Sequence, residues 1–218
     1  MYNKARVLWL KGRTAVAFFC AALMLTAFPA SAVRVVIVPG MGAVSVDHVF
    51  WYSSLKQRLN TDFPGINVVL RNMPDPFMAP ASTWLPFLED TLRVGPDTIV
   101  VGHSSGALAA MRYAETHRVA GLILVAAYSN DLGNSHEARS GYFDTPWDWA
   151  AIRANAGFII QLGSRDDLLV PFAAQQEAAD ALGSTFYRFD DKGHFLSTSQ
   201  PELVDIVEAK LGELAKGN

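Results

Sequence analysis

Thr98-Ile99-Val100-Val101-Gly102-His103-Ser104-Ser105-Gly106 is a β-branched apolar run that ends in a Gly-x-Ser-x-Gly pentapeptide and gives way to Ala107, Leu108, Ala109, Ala110 and Met111. The bare pattern is weak, since ordinary Gly and Ser usage produces it in roughly one chain in fourteen of this length. Its setting is what decides: a strand before and a helix former after supply the strand-turn-helix context of a nucleophile elbow. Such a turn holds a Ser at a strained backbone position, and small residues two before and two after it keep the adjoining backbones from colliding. The turn also sets Ser104 at a helix N-terminus, where the free N–H of Ser105 points at any negative charge developing beside it.

Working outward, apolar runs recur on both sides of this stretch. Val35 to Val38 precedes the glycine loop Pro39-Gly40-Met41-Gly42, Ile66 to Leu70 precedes a proline-rich loop, and Gly121 to Val125, Phe158 to Leu162 and Thr185 to Phe189 follow. Helix-length sequence separates each from the next, which predicts a parallel sheet covered on both faces, an α/β three-layer sandwich of about six strands. Trp51, Leu55 and Leu59 fall at helical spacing. Pro86 is tolerated only in a first turn, so the helix carrying Trp84, Leu85, Leu88 and Leu92 is expected to begin near Ser82 or Thr83. The stretch from Tyr128 to Pro146 is too long for a simple connection and reads as an excursion over one edge of the sheet. Trp147 and Trp149 behind it either pack against the core, the reading favoured here, or line a pocket. Pro201 opens a terminal core helix with Leu203, Ile206, Val207 and Leu211 on one face.

The chain has 218 residues, a net charge of −3, and no repeat, zinc-type Cys/His spacing, P-loop or dinucleotide fingerprint. That length suits one domain, taken as residues 33–218. Scattered Lys and Arg argue against a nucleic-acid partner, and no metal or nucleotide cofactor is expected. Residues 1–32 stand apart. Lys4, Arg6, Lys11 and Arg13 form a basic segment, Ala15 to Phe28 is apolar, and Ala30-Ser31-Ala32 offers a cleavage site, so a secretory signal is expected. The product would be secreted or periplasmic, with no stable membrane insertion after cleavage; the apolar stretch falls short of the about 20 residues that span a bilayer. An uncleaved anchor, or a cytoplasmic protein starting near Met24, are the alternatives. The one cysteine, Cys20, lies in the apolar stretch, so a mature chain would have no thiol.

A Ser nucleophile needs a base, and the base needs an orienting carboxylate, in the chain order Ser, acid, His for this architecture. Of the five histidines, His48 and His103 precede Ser104, His117 sits near the end of the following helix and His136 in the excursion. His194 remains, just after the sixth strand, where open parallel sheets bind ligands. Asp166 or Asp167, after the fifth strand, supplies the acid; the spacing from Asp167 to Pro171 favours Asp167 and leaves Asp166 to solvent or to capping the loop. The oxyanion donors would be the N–H of Ser105 and one from the Gly40-Met41-Gly42 loop, assigned to Met41. The excursion should leave only a small, apolar or aromatic pocket.

Several further segments carry a resemblance. Asn72-Met73-Pro74-Asp75-Pro76, the elbow running into Arg112-Tyr113-Ala114-Glu115-Thr116-His117-Arg118, Ser140 to Phe143, Gln175-Gln176-Glu177 and Gly193-His194-Phe195 together closely resemble the retinoblastoma-binding protein 9 family of compact serine hydrolases. The resemblance runs from Val35 to the C-terminus and implies a minimal α/β-hydrolase fold, with Ser104, Asp167 and His194 on the triad positions. Two departures limit it. The signal-like extension is foreign to the cytosolic animal member, and its Leu-x-Cys-x-Glu segment is replaced by Leu92-Arg93-Val94-Gly95-Pro96, so the retinoblastoma protein is not expected as a partner. The activity expected is cofactor-free hydrolysis of a small-molecule ester or amide through an acyl-enzyme. A non-catalytic binding protein that keeps the fold is the alternative, opposed by three reactive residue types at three strand ends.

Overall fold

The computed structural model describes residues 33–216; the signal-like segment lies outside them. Six strands, β1 (Arg34–Val38), β2 (Asn67–Leu70), β3 (Thr98–His103), β4 (Gly121–Val125), β5 (Ile159–Ser164) and β6 (Thr185–Phe189), form one sheet in the order β2-β1-β3-β4-β5-β6. All five pairings are parallel. The expected strands appear within one or two residues of their predicted bounds.

Alternate residues of each strand face opposite sides of the sheet, which divides the core in two. Val36, Val38, Val100, Leu122 and Leu124 pack beneath α2 (Ala81–Pro86), α3 (Ser105–Ala114), α5 (Trp149–Asn155) and α6 (Phe172–Leu182). Val35, Ile37, Ile99, Val101, Ile123 and Val125 pack beneath α1 (Tyr52–Asp62) and α7 (Pro201–Lys216). The result is a three-layer α/β/α sandwich. Every residue of β3 is buried, whereas the edge strand β6 is largely open to solvent. Both neighbours of β3, β1 and β4, are themselves almost wholly buried.

One local detail departs from the predicted elements. Helix α2 starts at Ala81, so Pro86 is its sixth residue and not part of its first turn. A proline there donates no hydrogen bond and crowds the preceding turn; the chain widens after it into a π-helical segment, Phe87–Thr91, closed by Leu92 N–H donating to the Phe87 carbonyl at 2.9 Å. The excursion contains the short helix α4 (Ser135–Ala138) and is stapled to α3 by one side chain. Buried Arg112 donates to the Tyr142, Thr145 and Pro146 carbonyls at 2.5–3.2 Å, pairs with Glu115 at 2.7 Å and lies 3.7 Å from the Trp147 ring centre. Trp147 and Trp149 stack on each other and pack against the core. Ala81 N–H donates to the Ser140 carbonyl, so the excursion also braces α2.

Candidate active site

β3 ends and α3 begins at Ser104, whose φ of 54° and ψ of −120° lie in a region that a side-chain-bearing residue adopts only under constraint. The constraint is visible. Ser104 N–H donates to the Val125 carbonyl at 2.9 Å, and its carbonyl accepts from Ala107 N–H at 2.8 Å and from Leu108 N–H at 3.2 Å. The flanking glycines are dictated by close approach: a Cβ on Gly102 would stand 2.6 Å from the Gly106 carbonyl oxygen, and one on Gly106 would stand 2.3 Å from that of Val38. Neither contact is tolerable.

At the end of β5 the chain turns through Asp166 and Asp167, and the two carboxylates part. Asp167 is buried. Its Oδ1 accepts the N–H groups of Leu169 and Val170, both at 2.9 Å, and its Oδ2 accepts from Gln175 Nε2 at 3.0 Å and His194 Nδ1 at 2.8 Å. A carboxylate so engaged has one orientation. Asp166 faces the other way, accepting from the Ser164 hydroxyl at 2.5 Å and from Gly193 N–H at 2.8 Å, donors that hold its carboxyl below the usual range. It therefore ties the β5 loop to the residue before His194, a capping role.

His194 follows β6 and is nearly buried. Because Asp167 accepts, Nδ1 carries the proton, and Nε2 is left as an acceptor. The ring lies 5.0 Å, centre to centre, from that of His103, the residue before Ser104. The structure thus brings Asp167 and His194 into contact and sets both beside the elbow; among the described residues no hydrogen bond joins Ser104 Oγ to His194.

The backbone donors expected to face a developing oxyanion sort themselves by what else they bind. A Cβ on Gly40 would lie 3.3 Å from that of Ser104, so the glycine loop abuts the elbow. Gly40 N–H donates to the Tyr52 hydroxyl at 2.9 Å and Gly42 N–H to the Pro76 carbonyl at 2.8 Å. Among the described residues the Met41 N–H has no acceptor, and neither has that of Ser105 at the start of α3. Both donors named from the sequence are uncommitted.

Sequence reasoning missed three residues here. Gln175, on α6, bonds Asp167 and also the Val170 carbonyl at 2.7 Å; it was noted only as part of a family motif. Tyr52 and His103 form a buried hydrogen-bonded pair at 2.7 Å under the site. A Tyr at a helix start and a His outside the required chain order gave no local signal of either contact.

The excursion is not where the exposed apolar side chains gather. Among the described residues the exposed large apolar side chains are Met41, Val44, Phe77, Leu168, Leu169, Tyr187 and Leu196, of which Leu168, Leu169 and Leu196 lie within two residues of Asp167 or His194 in sequence. Four surface recesses are lined by none of Ser104, Asp167 and His194. Among the described residues no cluster of His, Cys, Asp or Glu is arranged to hold a metal ion, and no helix is long and apolar enough to cross a membrane.

Comparison with known proteins gives a consistent picture. Residues 35–212 match the family model described as serine hydrolase. The chain is 50% identical over 182 residues to the serine hydrolase RBBP9 of Rattus norvegicus, covering 84% of this chain and 97% of that protein. The crystal structure of the ydeN gene product from Bacillus subtilis superposes with a TM-score of 0.74 at 26% identity, over 83% of this chain and 99% of that one. An esterase, RhEst1 from Rhodococcus, shares the fold at a TM-score of 0.56 and 16% identity, over 85% and 92% of the two chains.

Proposed function

The chain belongs to the serine hydrolase family, and we propose that it cleaves small esters or amides through Ser104, His194 and Asp167. The observation that carries this reading is the buried Asp167–His194 pair: it commits Nδ1 as a donor and leaves Nε2 as the proton acceptor beside a strained serine.

Ser104 Oγ attacks the substrate carbonyl carbon while Nε2 of His194 takes its proton, forming a tetrahedral oxyanion. The N–H groups of Ser105 and Met41 donate to that oxygen; one such donor is worth about 10²–10³ in rate. The intermediate collapses, the bond to the leaving oxygen or nitrogen breaks, and that atom takes the proton from His194. Water then loses a proton to Nε2 as its oxygen attacks the acyl-serine. The second collapse releases the carboxylic acid and returns the proton to Ser104. Asp167 holds the ring and offsets the imidazolium charge; it stays unprotonated throughout.

Exposed Met41, Leu168, Leu169 and Leu196, at or within two residues of the proposed donor, acid and base in sequence, support an uncharged substrate with a short apolar acyl or leaving group. Labelling with a fluorophosphonate tests the mechanism. Ser104→Ala should abolish labelling and turnover, while Ser105→Ala, which keeps the backbone N–H, should retain most of both. Labelling that survives in Ser104→Ala would remove the elbow serine from the reaction. For p-nitrophenyl esters the rate should peak at short acyl chains; a long-chain optimum rejects the substrate class.

The N-terminal segment supports export. Mass spectrometry of the protein from its native host should find Val33 as the first residue, and a retained Met1 or a start near Met24 excludes cleavage after Ala32.

A further inference from the structure

Four segments far apart in sequence meet beneath the site through three hydrogen bonds. Gly40 N–H donates to the Tyr52 hydroxyl oxygen at 2.9 Å, Tyr52 lies 2.7 Å from His103 Nδ1, and His103 Nε2 lies 2.9 Å from the main-chain carbonyl of His194. The direction of every bond is determined. A carbonyl only accepts, so Nε2 of His103 carries the proton; a neutral ring then accepts at Nδ1, and the Tyr52 O–H must donate to it. Neutrality follows from burial, which with the nearby His194 pushes His103 down to about 3. Tyr52 and His103 are both essentially inaccessible to water, and Phe50 and Trp51 pack around the imidazole. No solvent is at hand to replace a lost partner, so each bond is costly to break.

Resting on the assignment of Ser104, His194 and Met41 above, we propose that Tyr52 and His103 are positioning residues: they tie the loop bearing the Met41 N–H to the backbone of His194, so that oxyanion donor and base hold one geometry. At one end of the relay, Gly40 precedes Met41 directly. At the other, the carbonyl belongs to His194 itself. Neither Tyr52 nor His103 need touch substrate. Their loss should therefore appear in kcat and leave KM alone, because a misplacement of about 1 Å at the reacting groups can cost about 10²-fold.

The experiment measures p-nitrophenyl acetate turnover per fluorophosphonate-titrated site, which removes misfolded protein from the count. Tyr52→Phe and His103→Leu should each lose about ten- to a hundredfold in kcat, with KM within about twofold of the parent. His103→Gln, whose amide can accept from Tyr52 and donate to the carbonyl, should recover most of the loss. The double variant Tyr52→Phe/His103→Leu should be no slower than the worse single, as members of one relay are not additive. Parent-like kcat in both single variants, losses that multiply, or a Gln variant no better than Leu overturns the proposal. In the unaltered protein, ¹⁵N NMR should find His103 as the Nε2–H tautomer; an Nδ1–H tautomer overturns it without any variant. Failure of the parent enzyme to label at Ser104 would instead defeat the hydrolase assignment and this proposal with it, a result distinct from all the others.

Discussion

Two buried carboxylates flank the elbow, Asp167 beyond β5 and Glu137 in the excursion, and they are nearly equal in exposure at 6% and 7%. Their surroundings differ in kind. Asp167 accepts four hydrogen bonds, and one of them leads to an imidazole whose far nitrogen has no partner among the described residues. Glu137 accepts at 2.7 Å from Tyr128, whose hydroxyl is driven well above its ordinary value by burial first and then by the Glu137 charge. Tyr142, fully buried nearby, is raised by the same two causes. One carboxylate therefore orients an imidazole, and the other accepts from a phenol held well above its ordinary value. Burial alone does not distinguish the two acids; the partner that each one orients does.

The largest effect should separate the two at once. Asp167→Asn is expected to leave the fold intact and cut kcat by about 10⁴, because an amide favours the wrong imidazole tautomer. Glu137→Gln should leave kcat within about twofold and lower stability by about 1–3 kcal/mol, the cost of disturbing a buried hydrogen-bonded charge. Kinetics on titrated sites and a urea melt of each variant provide the check. If Glu137→Gln loses turnover as Asp167→Asn does, the excursion belongs to the chemistry and the contrast fails.

A second contrast is between the two neighbouring histidines. Burial, followed by the proximity of His194, holds His103 at about 3 against a free value of 6.5. The unfolded chain binds a proton there below about pH 6.5, while the native protein refuses it until about pH 3. The stability that depends on a neutral His103 is therefore complete above pH 6.5 and is lost as pH falls toward 3, a loss of about 2 kcal/mol near pH 5. Replacing His103 with Gln should flatten the plot of Tm against pH on the acid side. Equal slopes in parent and variant would show that His103 titrates normally and lies in contact with water.

The smallest effect sharpens the comparison within a single turn. Asp166→Asn keeps an oxygen that can accept from Gly193 N–H and should stay within about threefold of the parent in kcat, whereas Asp166→Ala removes that brace and should cost about tenfold. A ranking of Asp166→Asn below Asp167→Asn in activity would exchange the roles of the two acids.

What was legible in the sequence was local. Alternation of apolar runs with helix-length segments implies a covered parallel sheet, because both faces of its strands must be buried. Gly102, Ser104 and Gly106 could be read as an elbow since their spacing answers steric demands within one turn, and His194 and the pair Asp166/Asp167 could be placed because strands end where their apolar runs end. Helix α2 starts one or two residues earlier than expected, which carries Pro86 beyond the first turn, and the π-helical segment that follows it has no local sequence signal. The family motifs drew attention to Gln175 without disclosing its partner.

The rest belongs to tertiary structure. Which of two adjacent carboxylates faces His194 depends on a turn whose shape is set by Gln175 and by the Leu169 and Val170 N–H groups closing on Asp167. Which N–H of the glycine loop is free depends on Tyr52 and Pro76 having taken the other two. His103 looked like a bystander because its partners lie 51 and 91 residues away. Periodicity and turn chemistry act over a few residues of chain, but a hydrogen bond between buried groups is specified by folding, which brings distant donors and acceptors together where no water can compete.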